Sequence, residues 1–250
     1  MFHPIQYIRD VAFNGYELKY YPPKQNSGKP FVLICPGGGY RCVMASAEGV
    51  PVAKAFSALG YPAFVLRYHV REQAKLPSPM DDLARAVREI IDGNGTRWQV
   101  KTEGYAVCGF SAGGHLAASF GTESLGYAHY GLPRPGAMLL SYPVITMGEF
   151  THAGTRDLLL GENAPQSRLD AASIEKLVTA NYPPTFVWNS REDELVPPCN
   201  GEMLAGALEG AGVTYTFQQF PSGRHGCGLG KGTACEPWLG MAVAFWEKQV

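Results

Sequence analysis

The chain has 250 residues, 46% hydrophobic and 17% charged, with Lys+Arg 21 against Asp+Glu 22 for a formal net charge of -1. A charged fraction this far below the ~25% usual for soluble domains argues against intrinsic disorder, and near-zero net charge removes the basic footprint of nucleic-acid or anionic-membrane binding. No stretch approaches ~20 consecutive apolar residues, so no segment is predicted to span a bilayer.

In chain order, the N-terminus MFHPIQYIRD lacks a basic region followed by an apolar run, which predicts a cytoplasmic protein without a signal peptide. Tyr7 to Tyr21 alternates polar and apolar residues around Asn14-Gly15 and reads as an edge hairpin. Phe31 to Cys35 is a buried strand ended by Pro36 and three glycines; a helix over about Glu48 to Leu59 leads to a second strand, Ala63 to Arg67. Leu83, Val87, Ile90 and Ile91 fall at helical spacing within Met80 to Asp92, with Pro77 and Pro79 punctuating its start. Further strands are predicted at Tyr105 to Gly109, Ala137 to Ser141, Thr185 to Trp188 and Thr214 to Phe220, before a C-terminal helix near Pro237 to Lys248. Continuous apolar strands without alternation imply an α/β fold, a mostly parallel sheet with helices on both faces. The pattern weakens over about 145–182, where Phe150, Leu158 to Leu160 and Ile174 to Val178 suggest short helical pieces. This stretch reads as an insertion over the active-site end of a single domain spanning 1–250.

The most informative segment is Gly109-Phe110-Ser111-Ala112-Gly113-Gly114, directly after an apolar strand and directly before a helix. This is G-x-S-x-G in the context of a nucleophile elbow, where the turn is so tight that positions two before and two after the serine must be small. Such a turn lifts the Ser111 hydroxyl above the sheet edge, where the helix N-terminus aims its amides. A serine needs a base. Of the six histidines, His3 and His129 lie away from strand ends and His152 is in the insertion. His69 follows a strand but precedes the nucleophile, and His115 sits one helical turn after Ser111, suited to a hydrogen-bonded place beneath the site. His225, in Gly223-Arg224-His225-Gly226 after the last strand, fits the Ser, acid, His chain order.

The acid is expected between them, on the loop Asn189 to Pro197, where Glu192, Asp193 and Glu194 compete. An Asp on a tight turn is the easier group to fix against an imidazole, which favours Asp193; Asp157 and Asp170 are the alternatives. Pro36-Gly37-Gly38-Gly39-Tyr40 offers unencumbered backbone N–H groups for an oxyanion, and Ala112 N–H offers another. A phosphate loop is excluded there, because RCVMASAEG follows with neither GK[ST] nor G-x-G-x-x-G. The six cysteines contain no CxxC pair, so zinc spacing is absent and reduced thiols are expected.

With CPGGGY, LRY, LPSPMDDLARAVRE, CGFSAGGHLAAS, SYPVI, PPTFVWNSREDELVPPCN and SGRHGCGL in place, the chain resembles a serine esterase of the α/β-hydrolase superfamily. More narrowly, it is similar to small bacterial acetyl esterases of the xylan and oligosaccharide type. The resemblance implies Ser111 as nucleophile, Asp193 as acid, His225 as base, and Gly38, Gly39 and Ala112 as oxyanion amides. Pro36 stands where the wider esterase and lipase group has the histidine of HGGG, a departure the narrower group shares. Asp82 and Arg85 also match that group and are expected to anchor packing or a loop.

The expected function is hydrolysis of short-chain esters, acetyl foremost and on xylo-oligosaccharides or other sugars, through an acyl-enzyme and with no cofactor or metal. The expected partner is a small-molecule or oligosaccharide ester, with no nucleic acid and no membrane. Tyr40 is a candidate substrate contact, and Tyr68, Tyr142, Trp188 and Trp238 are considered with it as sugar-stacking faces or core. The same triad serves amide cleavage in arylformamidases and peptidases, and a non-catalytic binding protein is the competitor from another class. Of the 30 glycines, eleven fall in three stretches (37–39, 109–114 and 223–232), one for each part of the proposed site.

Overall fold

The computed structural model describes residues 4–25 and 28–250. The strands are β1 (Glu17–Tyr21), β2 (Pro30–Cys35), β3 (Ala63–Arg67), β4 (Lys101–Phe110), β5 (Ala137–Ser141), β6 (Thr185–Ser190) and β7 (Tyr215–Phe220). They form one sheet in the order β1-β3-β2-β4-β5-β6-β7, with β1 antiparallel to β3 and every other neighbouring pair parallel. Each residue of β2, β5 and β6 is buried, as strands covered on both faces must be, whereas the edge strand β1 is exposed or half-buried throughout.

The helices are α1 (Pro4–Ala12), α2 (Val50–Ala58), α3 (Ser78–Asp92), α4 (Ser111–Phe120), α5 (Ala153–Leu160), α6 (Gln166–Asp170), α7 (Cys199–Gly210) and α8 (Trp238–Glu247). Parallel neighbours need crossovers, and α2, α3, α4 and α7 supply them between successive strands. From β2 the chain moves to β3 on one side, then returns through α3 to place β4 on the other side of β2. The strand order therefore reverses between β2 and β4. Such a reversal leaves a crevice beyond the carboxyl ends of the two strands, the place where open α/β sheets bind ligands. Cys35 pairs in register with Gly109 there, so the glycine loop after β2 lies beside Ser111 after β4.

The N-terminal expectation is corrected. Residues 4–12 form α1 rather than one arm of an edge hairpin, and β1 pairs with β3 instead. Pro4 has no N–H for a strand ladder but suits a first helical turn. Tertiary contacts then hold α1 in place: Asp10 accepts from Ser46 N–H at 2.8 Å and lies 3.4 Å from Arg67. Asn14, expected in the hairpin turn, accepts from Val70 N–H at 2.9 Å.

Two other elements differ. The helix expected from Glu48 starts at Val50, preceded by a π-helical turn over Ala45–Gly49 that carries Glu48. Between β6 and β7 lies α7, which the sequence reading did not assign. Within 145–182, α5, α6 and a 3-10 turn (Ile174–Lys176) are helical, while Phe150 is in an exposed turn.

Candidate active site

β4 passes into α4 without an intervening loop: Phe110 is extended and Ser111 is already the first helical residue, at φ 53. A non-glycine residue in the left-handed region costs roughly 1–3 kcal/mol, and such strain concentrates where geometry serves chemistry. The crowding expected from the sequence is present. A Cβ on Gly109 would overlap the Gly113 carbonyl oxygen, and a Cβ on Gly113 would overlap the carbonyls of Cys35 and Pro36. The first turn of α4 thus passes against the end of β2, and the small residues make that approach possible.

Three of the side chains expected at the site come together above the sheet. Ser111 Oγ lies 2.8 Å from His225 Nε2, and His225 Nδ1 lies 2.7 Å from Asp193 Oδ2. A carboxylate only accepts, so the Nδ1 proton belongs to the Asp193 bond and Nε2 is left to accept from the serine. Asp193 is itself fixed, its Oδ1 accepting from Leu195 N–H at 3.0 Å and Val196 N–H at 2.9 Å. Its side chain is 2% exposed and that of His225 11%, so of these two it is the imidazole that meets the cavity, together with Ser111.

The loop after β2 supplies open donors. Gly38 and Gly39 adopt φ 126 and 65, and among the described residues neither N–H finds an acceptor. Ala112 N–H belongs to the first turn of α4, where amides have no intrahelical acceptor and no side chain caps them. Gly38, Gly39, Ser111 and His225 line one cavity of about 490 Å³, with His152 and Gly154 also on its wall. His152 caps α5, its Nδ1 accepting from Thr155 N–H at 3.2 Å, and burial, followed by nearby His225, lowers its pKa. A larger cavity of about 760 Å³ lies between β1 and the α1 end of the molecule and contains none of these groups. Among the described residues, no three His, Cys, Asp or Glu side chains form a metal-binding group.

The cavity at Ser111 is also lined by a buried carboxylate that the sequence reading missed. Glu48 Oε2 accepts from Gly37 N–H at 2.7 Å and Oε1 accepts from Tyr142 O–H at 2.8 Å. Burial raises its pKa, opposed by those two hydrogen bonds and by His225. No spacing in MASAEGVPVA marks this residue, because its partners lie 11 and 94 residues away, outside any local motif.

A protein-family model described as BD-FAE matches residues 18–127. The chain is 36% identical over 219 residues to endo-1,4-beta-xylanase B of Butyrivibrio fibrisolvens, covering 84% of this chain and 34% of that protein. It is 28% identical over 233 residues to an acetylxylan esterase of Xylanibacter ruminicola, covering 91% of this chain and 47% of that protein. The chain therefore spans less than half the length of these curated relatives. Among solved structures, an acetyl ester-xyloside bifunctional hydrolase from Caldicellulosiruptor lactoaceticus matches with a TM-score of 0.83 at 31% identity, over 96% of this chain and 92% of that one. The chain belongs to the α/β-hydrolase superfamily.

Other sequence candidates in this α/β-hydrolase lie elsewhere. Tyr40 is not a substrate-facing ring: it is buried, with its hydroxyl 3.2 Å from His115 Nδ1. Tyr68, Tyr142, Trp188 and Trp238 are buried as well, their polar atoms bonded to Pro36 O, Glu48, Ser141 Oγ and Gly228 O. An aromatic that buries its ring must also satisfy its polar atom, and the strand ends provide both. His115 takes the place expected beneath the site, its Nε2 2.8 Å from Ala172 O, and burial lowers its pKa to about 4. His69 is held by Asp82 at 2.8 Å, whereas Arg85 bonds Glu89 and stacks on Tyr16. Asp157 pairs with Arg156 and Asp170 with Lys176, so neither reaches His225. Glu192 and Glu194 are exposed on the neighbouring groove. His3 lies outside the described residues.

Proposed function

We propose that this α/β-hydrolase is a serine esterase acting on short-chain esters, acetyl foremost, of sugars such as xylo-oligosaccharides. The observation that carries the reading is the unbroken chain Ser111 Oγ, His225, Asp193 at 2.8 and 2.7 Å, facing a cavity lined by the unpaired amides of Gly38 and Gly39. His225 Nε2 takes the Ser111 proton as Oγ attacks the ester carbonyl carbon. The carbonyl π pair moves to oxygen, and the amides of Gly38, Gly39 and Ala112 hold the oxyanion, each such donor being worth about 3–4 kcal/mol. The intermediate collapses with loss of the alcohol, which leaves with the proton from Nε2. Water, deprotonated by the same nitrogen, then attacks the acyl-serine and releases the acid. Asp193 stabilises the imidazolium in both halves.

The sugar side of the proposal is supported by what its relatives are named for, xylanase, acetylxylan esterase and acetyl ester-xyloside hydrolase. We read the chain as one domain with 145–182 as an insertion over the active-site end, supported by His152 and Gly154 on the cavity wall. A cytoplasmic location is supported by six free cysteines. The test is hydrolysis of acetyl, butyryl and longer esters, acetylated xylo-oligosaccharides and an N-formyl arylamine. Acetyl esters should be fastest, Ser111→Ala should lose at least ~10⁴-fold in kcat, and a fluorophosphonate should label Ser111. Wild-type rates in Ser111→Ala overturn the proposal, and a preference for the formyl amide redirects it.

A further inference from the structure

Glu48 takes part in none of those steps, yet it is built into their scaffold. Its two oxygens face different loops. Oε2 receives the N–H of Gly37, the residue before the proposed oxyanion amides, and Oε1 receives the Tyr142 hydroxyl. The Tyr142 oxygen in turn accepts from Gly228 N–H at 3.0 Å, three residues after His225. The tyrosine ring also meets the His225 ring edge-on, at 4.8 Å between centroids. Gly37 is itself confined between Glu48 and Ser111, since a Cβ placed on it would lie 2.8 Å from both Glu48 Oε2 and Ser111 Cβ.

The backbone beneath Glu48 is specialised too. It belongs to a π-helical turn, a widened form that is rare and recurs at functional sites. Tyr142 adopts φ 37 immediately after β5, one of four non-glycine residues in the left-handed region among those described, with Tyr40, Arg71 and Ser111. Burying a carboxylate opposes folding unless hydrogen bonds answer it. A chain that needed only to fill this space would hold an apolar side chain.

We infer that Glu48 is a positioning residue that ties the Gly37–Gly39 loop to the His225 loop through Tyr142, holding donors and base in register around Ser111. The inference rests on the serine-esterase reading. A shift of about 1 Å in such a constellation costs on the order of 10²-fold in rate, so the tie acts on kcat far more than on ground-state binding.

The test compares Glu48→Ala, Glu48→Gln and Tyr142→Phe in the full chain, on an acetyl ester and with a trifluoromethyl ketone that forms a tetrahedral oxyanion on serine. Glutamine keeps the first link, its oxygen accepting from Gly37 N–H, and reverses the second, its amide donating to the tyrosine oxygen. Glu48→Ala should lose about 100-fold in kcat with KM within about 3-fold, and weaken the ketone in proportion. Glu48→Gln should recover to within about 10-fold of wild type, and Tyr142→Phe should lose at least several-fold in kcat. A lowered Tm with wild-type kcat and ketone affinity in Glu48→Ala overturns the inference, as does a glutamine variant no better than alanine. If Glu48→Ala does not fold by circular dichroism, Tyr142→Phe decides: wild-type kcat there overturns the inference, and a kcat loss at constant KM supports it. A wild-type protein inactive on every ester sinks the esterase reading, whereas an active one with unaltered variants sinks only the role of Glu48.

Discussion

Asp193 divides its oxygens between two tasks, one toward His225 and one toward the amides of Leu195 and Val196. An asparagine there has one accepting oxygen for three donors. If it satisfies the backbone, its NH₂ faces Nδ1 and forces the imidazole into the tautomer that cannot accept from Ser111. Asp193→Asn is therefore expected to lower kcat by about 10⁴-fold with KM little changed, measured on a chromogenic acetyl ester. That a carboxylate near 193 serves His225 was legible in the sequence from loop position and chain order. Among the three adjacent carboxylates the sequence favoured Asp193, as the shorter group on a tight turn, and that turn buries Asp193 while leaving Glu192 and Glu194 in solvent. Tyr40 failed, since position after a strand says nothing about which way a ring points.

The strand-to-helix junction was the most legible element, because its constraints are contained in six consecutive residues. The same constraints make it brittle. Gly113→Ala sets a methyl against two carbonyl oxygens of the β2 end, neither of which belongs to a flexible side chain. It should lower Tm by several degrees and reduce activity, reflecting overpacking of roughly 1–3 kcal/mol. Gly206 provides the contrast: it is exposed within α7, with nothing within 4 Å of a Cβ. Gly206→Ala is expected to stabilise by about 0.5–1 kcal/mol, read as a raised Tm with unchanged kcat. The glycines at 201, 206 and 210 also explain why α7 escaped the sequence reading, since each lowers the intrinsic helical signal that packing against β6 and β7 overrides. The N-terminal hairpin erred in the other direction. An alternating pattern with Asn-Gly suits a hairpin locally, but Asp10 has its partners, Ser46 and Arg67, only with α1 in place.

Burial couples the whole fold to pH through His115, which lies between Tyr40 and Ala172 beneath the site. Desolvation lowers its pKa from 6.5 to about 4, partly offset by the Ala172 bond. The unfolded chain thus binds more protons than the folded one between those values. Stability present above pH 6.5 should fall as pH drops toward 4, by roughly 3 kcal/mol from this group. Urea unfolding at pH 7.5, 5.5 and 4 should show the loss, and His115→Gln should remove this component of the slope. Among the described residues no helix is long and apolar enough to cross a membrane.

By itself the sequence determined the class of fold and singled out Ser111 on its tight strand-to-helix turn and the glycine loop after β2, because each is written in contiguous residues whose backbone demands are local. Bringing the parts together took the sheet. Ser111 and His225 are 114 residues apart, and His225 and Asp193 are 32 apart. They meet because β4, β6 and β7 run parallel in one sheet and end at the same edge, with β5 alone between β4 and β6. Only that arrangement decided that the aromatic rings turn into the core and that Glu48 lies between two loops. Contacts of this kind follow from strand order and burial, which no short stretch of residues encodes.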